Sequence, residues 1–147
     1  MQTTTIRHLL EVKGHDLWCT RPDTSVFDAL RMMSDKDVGA LVVLEGEKMV
    51  GIMSERDYAR KIVLLGKSSR ETQVGEIMSK RVYTVHPEQT MEEAMELMNK
   101  HRIRHLPVVE DENPEHVLGM ISIGDVVKAI IYRQRETIKN LEDKIIS

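Results

Sequence analysis

The chain has few of the features that define several large classes of protein. Its 147 residues include one cysteine, so an internal disulfide is excluded and a reducing compartment is expected. Aromatic residues make up 3% of the chain, the net charge is −3 and there is no basic tail, which argues against a nucleic-acid or anionic-membrane binder. The first ten residues lack the apolar stretch of a signal peptide, and no segment approaches membrane-spanning length. We therefore expect a soluble cytoplasmic protein.

The sequence patterns that identify most enzymes are also missing. There is no P-loop motif and no nucleophile with a base at a recognisable spacing, so neither catalytic residues nor a catalytic cofactor is predicted. His101 and His105 are four residues apart, but the first is predicted to end a helix and the second to begin a strand. Because they do not share a helical face and no carboxylate or cysteine completes a ligand set, no metal site is predicted.

What the chain does contain is an internal repeat. GIMSERD at residues 51–57 returns as GMISIGD at residues 119–125. Matching residues such as Met33 and Met98 are 65 positions apart, and the offset becomes 68 after a loop at residues 111–116 that is longer in the second copy. Such a pattern indicates duplication of one folded unit of about sixty residues. We place the first repeat at residues 6–66, a linker at 67–73, the second repeat at 74–132 and a C-terminal helical extension at 133–147.

Each repeat is predicted to contain a strand, a helix, two strands and a second helix. Apolar residues at helical spacing follow the cap residues Ser25 and Thr90, and a further helix begins near Ser54 and near Ser122. Two strand hairpins are predicted from short apolar runs on either side of polar turns. The predicted strands are Asp16–Thr20, Ala40–Leu44 and Met49–Met53 in the first repeat, and Arg81–Val85, Leu106–Val109 and Val117–Ile121 in the second.

These elements predict an α/β fold of the α+β type. One unit cannot cover both faces of its small sheet, whereas two units packed sheet to sheet about a pseudo-two-fold axis can. Such packing leaves two symmetry-related clefts at the seam, and clefts of this kind commonly bind ligands.

The ordered set of motifs resembles tandem cystathionine-β-synthase (CBS) domains. The resemblance is carried by the motifs at 51–57 and 119–125, by HRIRHLPVVED at 101–111 with its weaker counterpart at 36–46, and by the helix starts PDTSVFDAL and PEQTMEEAM. It covers residues 6 to about 132 and implies a free-standing, bacterial-type CBS pair. It further implies a regulatory module that binds AMP, ADP, ATP, NAD(H) or S-adenosylmethionine and passes a conformational change to an effector protein.

By the geometry of that family, each cleft draws on both repeats around an aspartate that binds the ribose hydroxyls. The resemblance places these residues around Asp125: Thr20, Thr24, Ala29, Val38, Gly39, Ala40, Arg104, Ser122 and Gly124. It places these around Asp57: Ser54, Arg56, Gln89, Ala94, Ile103, Arg104 and His105.

The two copies differ, so we expect two sites of different preference. Arg104 corresponds to Gly39, and Arg56 corresponds to Gly124. We expect the Asp125 site to bind an AMP-like ligand, and the Asp57 site to take a larger or differently charged one, with Arg56 and Arg60 near its phosphates. The alternative is that Ser-x-x-Asp only caps a helix, in which case Asp125→Asn would cost about 1 kcal/mol of stability and leave binding intact.

The C-terminal segment has its own apolar pattern. Its spacing of four, three, four, three and four residues is typical of a heptad and predicts a homodimer contact, with packing against its own domain as the alternative. A structural homodimerisation module without a physiological ligand is therefore the second functional hypothesis. The residues of the pattern are Val127, Ile131, Gln134, Ile138, Leu141 and Ile145.

Overall fold

The computed structural model describes residues 4–14 and 16–146. We call the part from β1 to residue 63 the first half and the part from α5 to residue 146 the second half. The elements in chain order are α1 (Ile6–Lys13), β1 (Cys19–Thr20), α2 (Val26–Lys36), β2 (Ala40–Glu45), β3 (Lys48–Ser54), α3 (Glu55–Tyr58), a π-helical turn (Ala59–Val63), α4 (Val74–Ile77), α5 (Met91–His101), β4 (His105–Val109), β5 (Val117–Ser122) and α6 (Ile123–Ile146).

The two matching helices α2 and α5 begin at the predicted caps, and α5 ends at His101 as predicted. The side-chain oxygens of Ser25 and Thr90 each accept a hydrogen bond of 3.1 Å, from the backbone N–H of Asp28 and of Glu93. Both helices end at a residue in the left-handed conformation, Asp37 in the first half and its counterpart Arg102 in the second. The repeat therefore extends to the backbone conformation of the helix ends.

The predicted hairpins form two small sheets within the described residues. In the first half, β1 runs parallel to β2, and β2 pairs antiparallel with β3 so that Val42 lies opposite Ile52. In the second half, β4 pairs antiparallel with β5, and Leu106 lies opposite Ile121. The α+β fold with a C-terminal helix is thus confirmed.

The strand predicted at the start of the first repeat, Asp16–Thr20, is only Cys19–Thr20 in the structure. The strand predicted at Arg81–Val85 in the second repeat is wrong. Val85 makes an isolated parallel bridge to β4, in which its N–H donates to the Pro107 carbonyl at 3.1 Å and its carbonyl accepts from Val109 at 2.8 Å. The next bond of a parallel ladder would come from the N–H of residue 107, which proline lacks. In the first half the equivalent N–H, on Val42, does donate to Trp18 at 3.4 Å, and two residues, Cys19–Thr20, remain as a strand.

The hydrophobic cores exchange helices between the halves. Helix α1 contributes Ile6, Leu9 and Leu10 to the core of the second half, together with Met91 and Leu106. In the same way, α4 contributes Val74 and Ile77 to the core of the first half, which contains Val26, Met33, Leu41 and Met53. Each helix begins one repeat in sequence and packs against the core of the other.

Backbone hydrogen bonds between helix starts fix this exchange. The N–H of Ile6 donates to the Gln89 carbonyl at 2.8 Å, and the N–H of Met91 donates back to Thr4 at 3.0 Å. The equivalent pair joins α2 to α4, where Val74 N–H donates to Thr24 at 2.8 Å. These bonds satisfy N–H groups at helix starts that have no partner within their own helix.

The two sheets meet along a separate apolar layer. Val42 from one sheet and Val109 and Val117 from the other are buried against each other. A backbone hydrogen bond of 3.1 Å from Met49 to Glu115 ties the two hairpins together beside this layer. The two sheets therefore pack against each other, as predicted from the sequence.

Helix α6 continues well past the domain. It has 24 residues and is about 36 Å long. Val126 is fully buried in the core of the second half, whereas residues 134–145 are all exposed. The apolar stripe of the C-terminal segment does not pack on its own domain: the exposed fractions are 56% for Ile138, 55% for Leu141 and 84% for Ile145.

Candidate ligand clefts

Both motif aspartates bind the serine three residues before them. The backbone N–H of Ser54 donates to Asp57 Oδ2 at 2.9 Å, and the N–H of Asp57 donates to Ser54 Oγ at 3.2 Å. Ser122 and Asp125 make the same pair of bonds at 2.8 and 3.2 Å. Helix capping is thus common to the two motifs, and what separates the two aspartates is the rest of their surroundings.

Asp57 lies at the edge of a cavity of about 790 Å³ that is built from both halves. Its second carboxylate oxygen, Oδ1, accepts from Ser79 Oγ at 3.3 Å and lies 3.5 Å from Lys61 Nζ. Most of the residues predicted for this site do line the cavity: Ser54, Arg56, Asp57, Ile103, Arg104 and His105, with Arg60 beside them. The structure therefore brings together the two segments that the sequence assigned to this cleft.

Two residues predicted for the Asp57 cleft lie elsewhere. Ala94 is fully buried in the core of the second half. The Gln89 side chain is bound at the start of α5, where its oxygen accepts from His86 N–H at 3.0 Å and its nitrogen donates to Glu93 at 3.2 Å. Neither side chain contributes surface to the cavity in this structure.

The cavity also contains residues that sequence reasoning missed. Arg81 and Tyr83 line it from the segment predicted as a strand, and the Tyr83 ring stacks on His101 with 3.7 Å between ring centroids. The repeat could have identified Arg81, because it is a basic residue 68 positions after Lys13 and so occupies the equivalent place in the second repeat.

The charge of the cavity is strongly unbalanced. Among the described residues that line it, Glu55 and Asp57 are the carboxylates. The guanidinium groups outnumber them and belong to Arg56, Arg60, Arg81, Arg102 and Arg104. Arginine is the side chain best suited to bind phosphate, because its planar fork donates two parallel hydrogen bonds. The cavity is therefore suited to an anionic ligand.

Asp125 is occupied by a partner from the protein itself. Lys13 Nζ lies 2.6 Å from Asp125 Oδ2 and also donates to the Met120 carbonyl at 2.5 Å. Burial raises the pKa of Asp125, but the hydrogen bonds from Lys13 and Ser122 and the charge of Lys13 outweigh burial, so the pKa lies below its usual value. Asp125 faces a groove of about 990 Å³ between α1 and α6, which Lys13 also lines.

The structure does not assemble the set of residues predicted around Asp125. Ser122 is beside it as the helix cap, and Gly124 is exposed next to that serine. Gly39 and Arg104 line the Asp57 cavity instead. Thr20, Ala29 and Ala40 are buried, and Val38 is half-buried. Thr24 lies just before α2, where its carbonyl accepts from Val74.

His105 lines the Asp57 cavity and is close enough to Asp125 for their charges to interact. A side-chain carbon added at Gly39 would be 3.1 Å from His105 Cε1, so the ring packs closely on the backbone of the first half at this glycine. Burial lowers the pKa of His105, and the positive charges of Lys13 and Arg104 lower it further against the opposing charge of Asp125. The ring is therefore close to residues around Asp57 and to residues around Asp125.

The described residues carry neither a metal-binding cluster nor a membrane-spanning helix. In residues 4–14 and 16–146, no group of three or more His, Cys, Asp or Glu side chains is arranged to hold a metal ion. Over the same described part of the chain, no helix is long and apolar enough to cross a membrane.

Comparison with known proteins identifies the family. The model for the CBS domain matches residues 5–64 and again 74–132. A CBS domain-containing protein of Arabidopsis thaliana, the mitochondrial CBSX3, is 44% identical over 150 residues, which cover 95% of this chain and 71% of the relative. The crystal structure of the CBS domain protein NE2398 superimposes with a TM-score of 0.83 at 45% identity, covering 88% of this chain and 99% of that one.

A more distant structure shares the fold at low identity. The CBS domain pair of MJ0100, solved in complex with 5′-methylthioadenosine and S-adenosyl-L-methionine, is 22% identical with a TM-score of 0.79, covering 90% of this chain and 99% of the other. The repeated motif, the exchanged helices and these matches agree. The chain belongs to the CBS-domain family and carries two CBS domains in tandem.

Proposed function

We propose that this protein is a regulatory module that binds an adenosine-containing nucleotide in the Asp57 cavity. The observation that carries the proposal is that the Asp57 carboxylate, which can bind a ribose, lies in a cavity lined by five arginines. A carboxylate can accept hydrogen bonds from both neighbouring hydroxyls of a ribose, and guanidinium groups bind phosphate. The binding of adenosine compounds by the CBS pair of MJ0100 supports the ligand class.

Each part of the nucleotide has a suitable partner in this cavity. Asp57 would accept from the ribose, and Arg56, Arg60 and Arg104 would bind the phosphates. Ile52 and Ile103 offer apolar surface to the base. This assignment makes the Asp57 cleft the principal site, in place of the Asp125 cleft that the sequence favoured. Lys13 lies 2.6 Å from Asp125, closer than Lys61 lies to Asp57 at 3.5 Å, and the five arginines line the Asp57 cavity.

Paired substitutions at the two matched aspartates test this proposal. Calorimetric titration with AMP, ADP, ATP, NADH and S-adenosylmethionine should detect binding to the wild type. Asp57→Asn should weaken the best ligand at least about tenfold, because a hydrogen bond to a charged group contributes about 1.5–3 kcal/mol. Asp125→Asn is the control, since it changes the same motif position and should leave that affinity unchanged.

Two results would count against this assignment. One is a wild-type protein that gives no heat with any adenosine compound and releases none on denaturation, as judged by mass spectrometry. The other is an affinity that depends on Asp125 and not on Asp57, which would return the site to the cleft predicted first.

The proposal extends to the rest of the function. As a regulatory module, the protein would catalyse no reaction, bind neither nucleic acid nor membrane, and act in the cytoplasm. Binding would act on an effector protein only if the ligand prefers one of two conformations. The effector is open to identification by crosslinking with and without the nucleotide.

A specific observation also favours homodimerisation as a second candidate function. The exposed stripe Ile138, Leu141 and Ile145 on α6 extends away from the domain and has no apolar partner among the described residues. Sedimentation of the wild type should show a dimer, and Leu141→Asp should convert it to a monomer. A monomer at all concentrations would remove this candidate.

A further inference from the structure

A hydrogen bond from Arg56 ties the two halves together at the edge of the Asp57 cavity. Arg56 Nη1 donates to the backbone carbonyl of Arg102 at 2.7 Å. Arg102 ends α5 in the left-handed conformation, with φ at 54°. The last carbonyl groups of a helix lack partners within the helix and carry the negative end of its dipole. A cation from the motif of the first half is therefore held on the end of a helix of the second half.

Arg56 also stands between two cavities. The Asp57 cavity lies on one side, and a cavity of about 490 Å³ lined by Met95, Met98 and Ile123 lies on the other. Both cavities are lined by Arg56 and by the turn at residues 102–104 that follows α5. Movement of the Arg56 side chain would therefore change the wall that separates them.

The present partner of Arg56 is one that a phosphate can replace. A backbone carbonyl is neutral, whereas a phosphate is charged and can accept two parallel hydrogen bonds from one guanidinium, so it adds an ion pair and a second bond. The surplus of guanidinium groups attracts a polyanion and repels the sulfonium cation of S-adenosylmethionine. A ligand with several phosphates can therefore compete for Arg56 where a neutral or cationic adenosine compound cannot.

We propose that Arg56 is a latch that a polyphosphate ligand opens. In the ligand-free protein Arg56 holds the end of α5, and an adenosine compound with two or more phosphates exchanges that carbonyl for a phosphoryl oxygen. The exchange releases the last turn of α5 and joins the two cavities. The inference rests on the proposed function, and it gives that site a ligand class and a way to report binding.

The repeat shows why the latch is one-sided. The residue equivalent to Arg56 in the second motif is Gly124, which has no side chain to reach the equivalent helix end at Asp37. The first motif can therefore hold the opposite half, and the second cannot hold it by this bond. The ligand would loosen one of the two helix ends and leave the other in place.

Hydrogen exchange at the last turn of α5, residues 99–103, tests the latch. In the absence of ligand, Arg56→Gln should raise the exchange rate there several-fold, and Arg56→Lys should raise it less. Arg135→Gln is the control, because Arg135 is exposed on α6, outside the cavity, and its loss should leave that rate unchanged. Saturating ATP should raise the wild-type rate toward that of Arg56→Gln and add nothing to that variant, while S-adenosylmethionine should not raise it.

The outcomes separate the latch from the proposed function. If ATP binds in an Asp57-dependent way but the last turn of α5 exchanges no faster, the latch is wrong and the proposed function stands. If no adenosine compound binds, yet inorganic tripolyphosphate loosens the turn in the wild type and not in Arg56→Gln, the latch stands and the proposed function is wrong. Equal exchange in the ligand-free wild type and Arg56→Gln also overturns the latch.

Discussion

The ion pair of Lys13 with Asp125 makes a quantitative prediction for the variant Lys13→Met. Methionine keeps the length and the apolar stem of lysine and removes the charge and the hydrogen bonds. The side chains of Lys13 and Asp125 are 34% and 22% exposed, so water screens the pair in part. Exposed ion pairs contribute about 0–1 kcal/mol, and hydrogen bonds to charged groups about 1.5–3 kcal/mol. We expect Lys13→Met to lower the free energy of unfolding by about 1–2 kcal/mol at pH 7.

The cost of this substitution should depend on pH in a defined direction. Because the folded protein holds the pKa of Asp125 below its usual value of 3.8, the unfolded chain takes up a proton at a higher pH than the folded chain does. The stabilisation is therefore present above about pH 4 and is lost as the pH falls through the folded value. Urea denaturation followed by circular dichroism at pH 7, 5 and 3 measures the difference between the variant and the wild type at each pH.

The equivalent residue of the other repeat provides the control. Arg81 lies over the Tyr83 ring, with 5.5 Å from the guanidinium carbon to the ring centroid. Arg81→Met should therefore cost less than about 1 kcal/mol, with little change between pH 7 and pH 3. A Lys13→Met cost that stays the same at pH 3, or that is absent at pH 7, would refute the reasoning.

Two further predictions concern matched glycines and His105. Gly51→Ala should cost about 1–3 kcal/mol, because a side-chain carbon there would lie 2.7 Å from Met78 Sδ and 3.0 Å from a backbone oxygen that cannot move aside. Gly119→Ala should cost less than half as much in urea denaturation, since its contact is the end of the Leu10 side chain at 3.0 Å, and equal costs would contradict this. Because the pKa of His105 is lowered in the folded state, the wild type should lose stability relative to His105→Gln as the pH falls below about 6.5, and parallel pH profiles would argue against it.

Features that depend on local sequence were predictable. The caps at Ser25 and Thr90 and the two hairpins follow from residue type and spacing over a few positions, and all of them are present in the structure. The leading strand at residues 81–85 failed for a reason that lies elsewhere in the chain. Its backbone partner would be the N–H of residue 107, so Pro107 and not the strand's own sequence decides whether the ladder continues.

The motifs predicted two sites of different preference, but not how each aspartate is paired. Asp57 and Asp125 occupy the same place in the repeat and make the same serine contacts. Their lysine contacts differ: Lys13, which is 112 positions from Asp125 in the chain, lies 2.6 Å from it, whereas Lys61 lies 3.5 Å from Asp57. Long-range partners of this kind are set by how α1 packs, so the local sequence of the motif could not predict the contact between Lys13 and Asp125.

The exchanged helices have a consequence for how the polypeptide is made and taken apart. As the chain leaves the ribosome, α1 is synthesised before the segments it packs on, so it must wait for Leu106 and Ile121 before its apolar face has a permanent place. The first CBS domain is likewise incomplete until Ile77 has emerged. Cutting the chain in the linker would therefore leave each fragment short of a helix that the other one carries. We therefore expect the two repeats to unfold together and not one at a time.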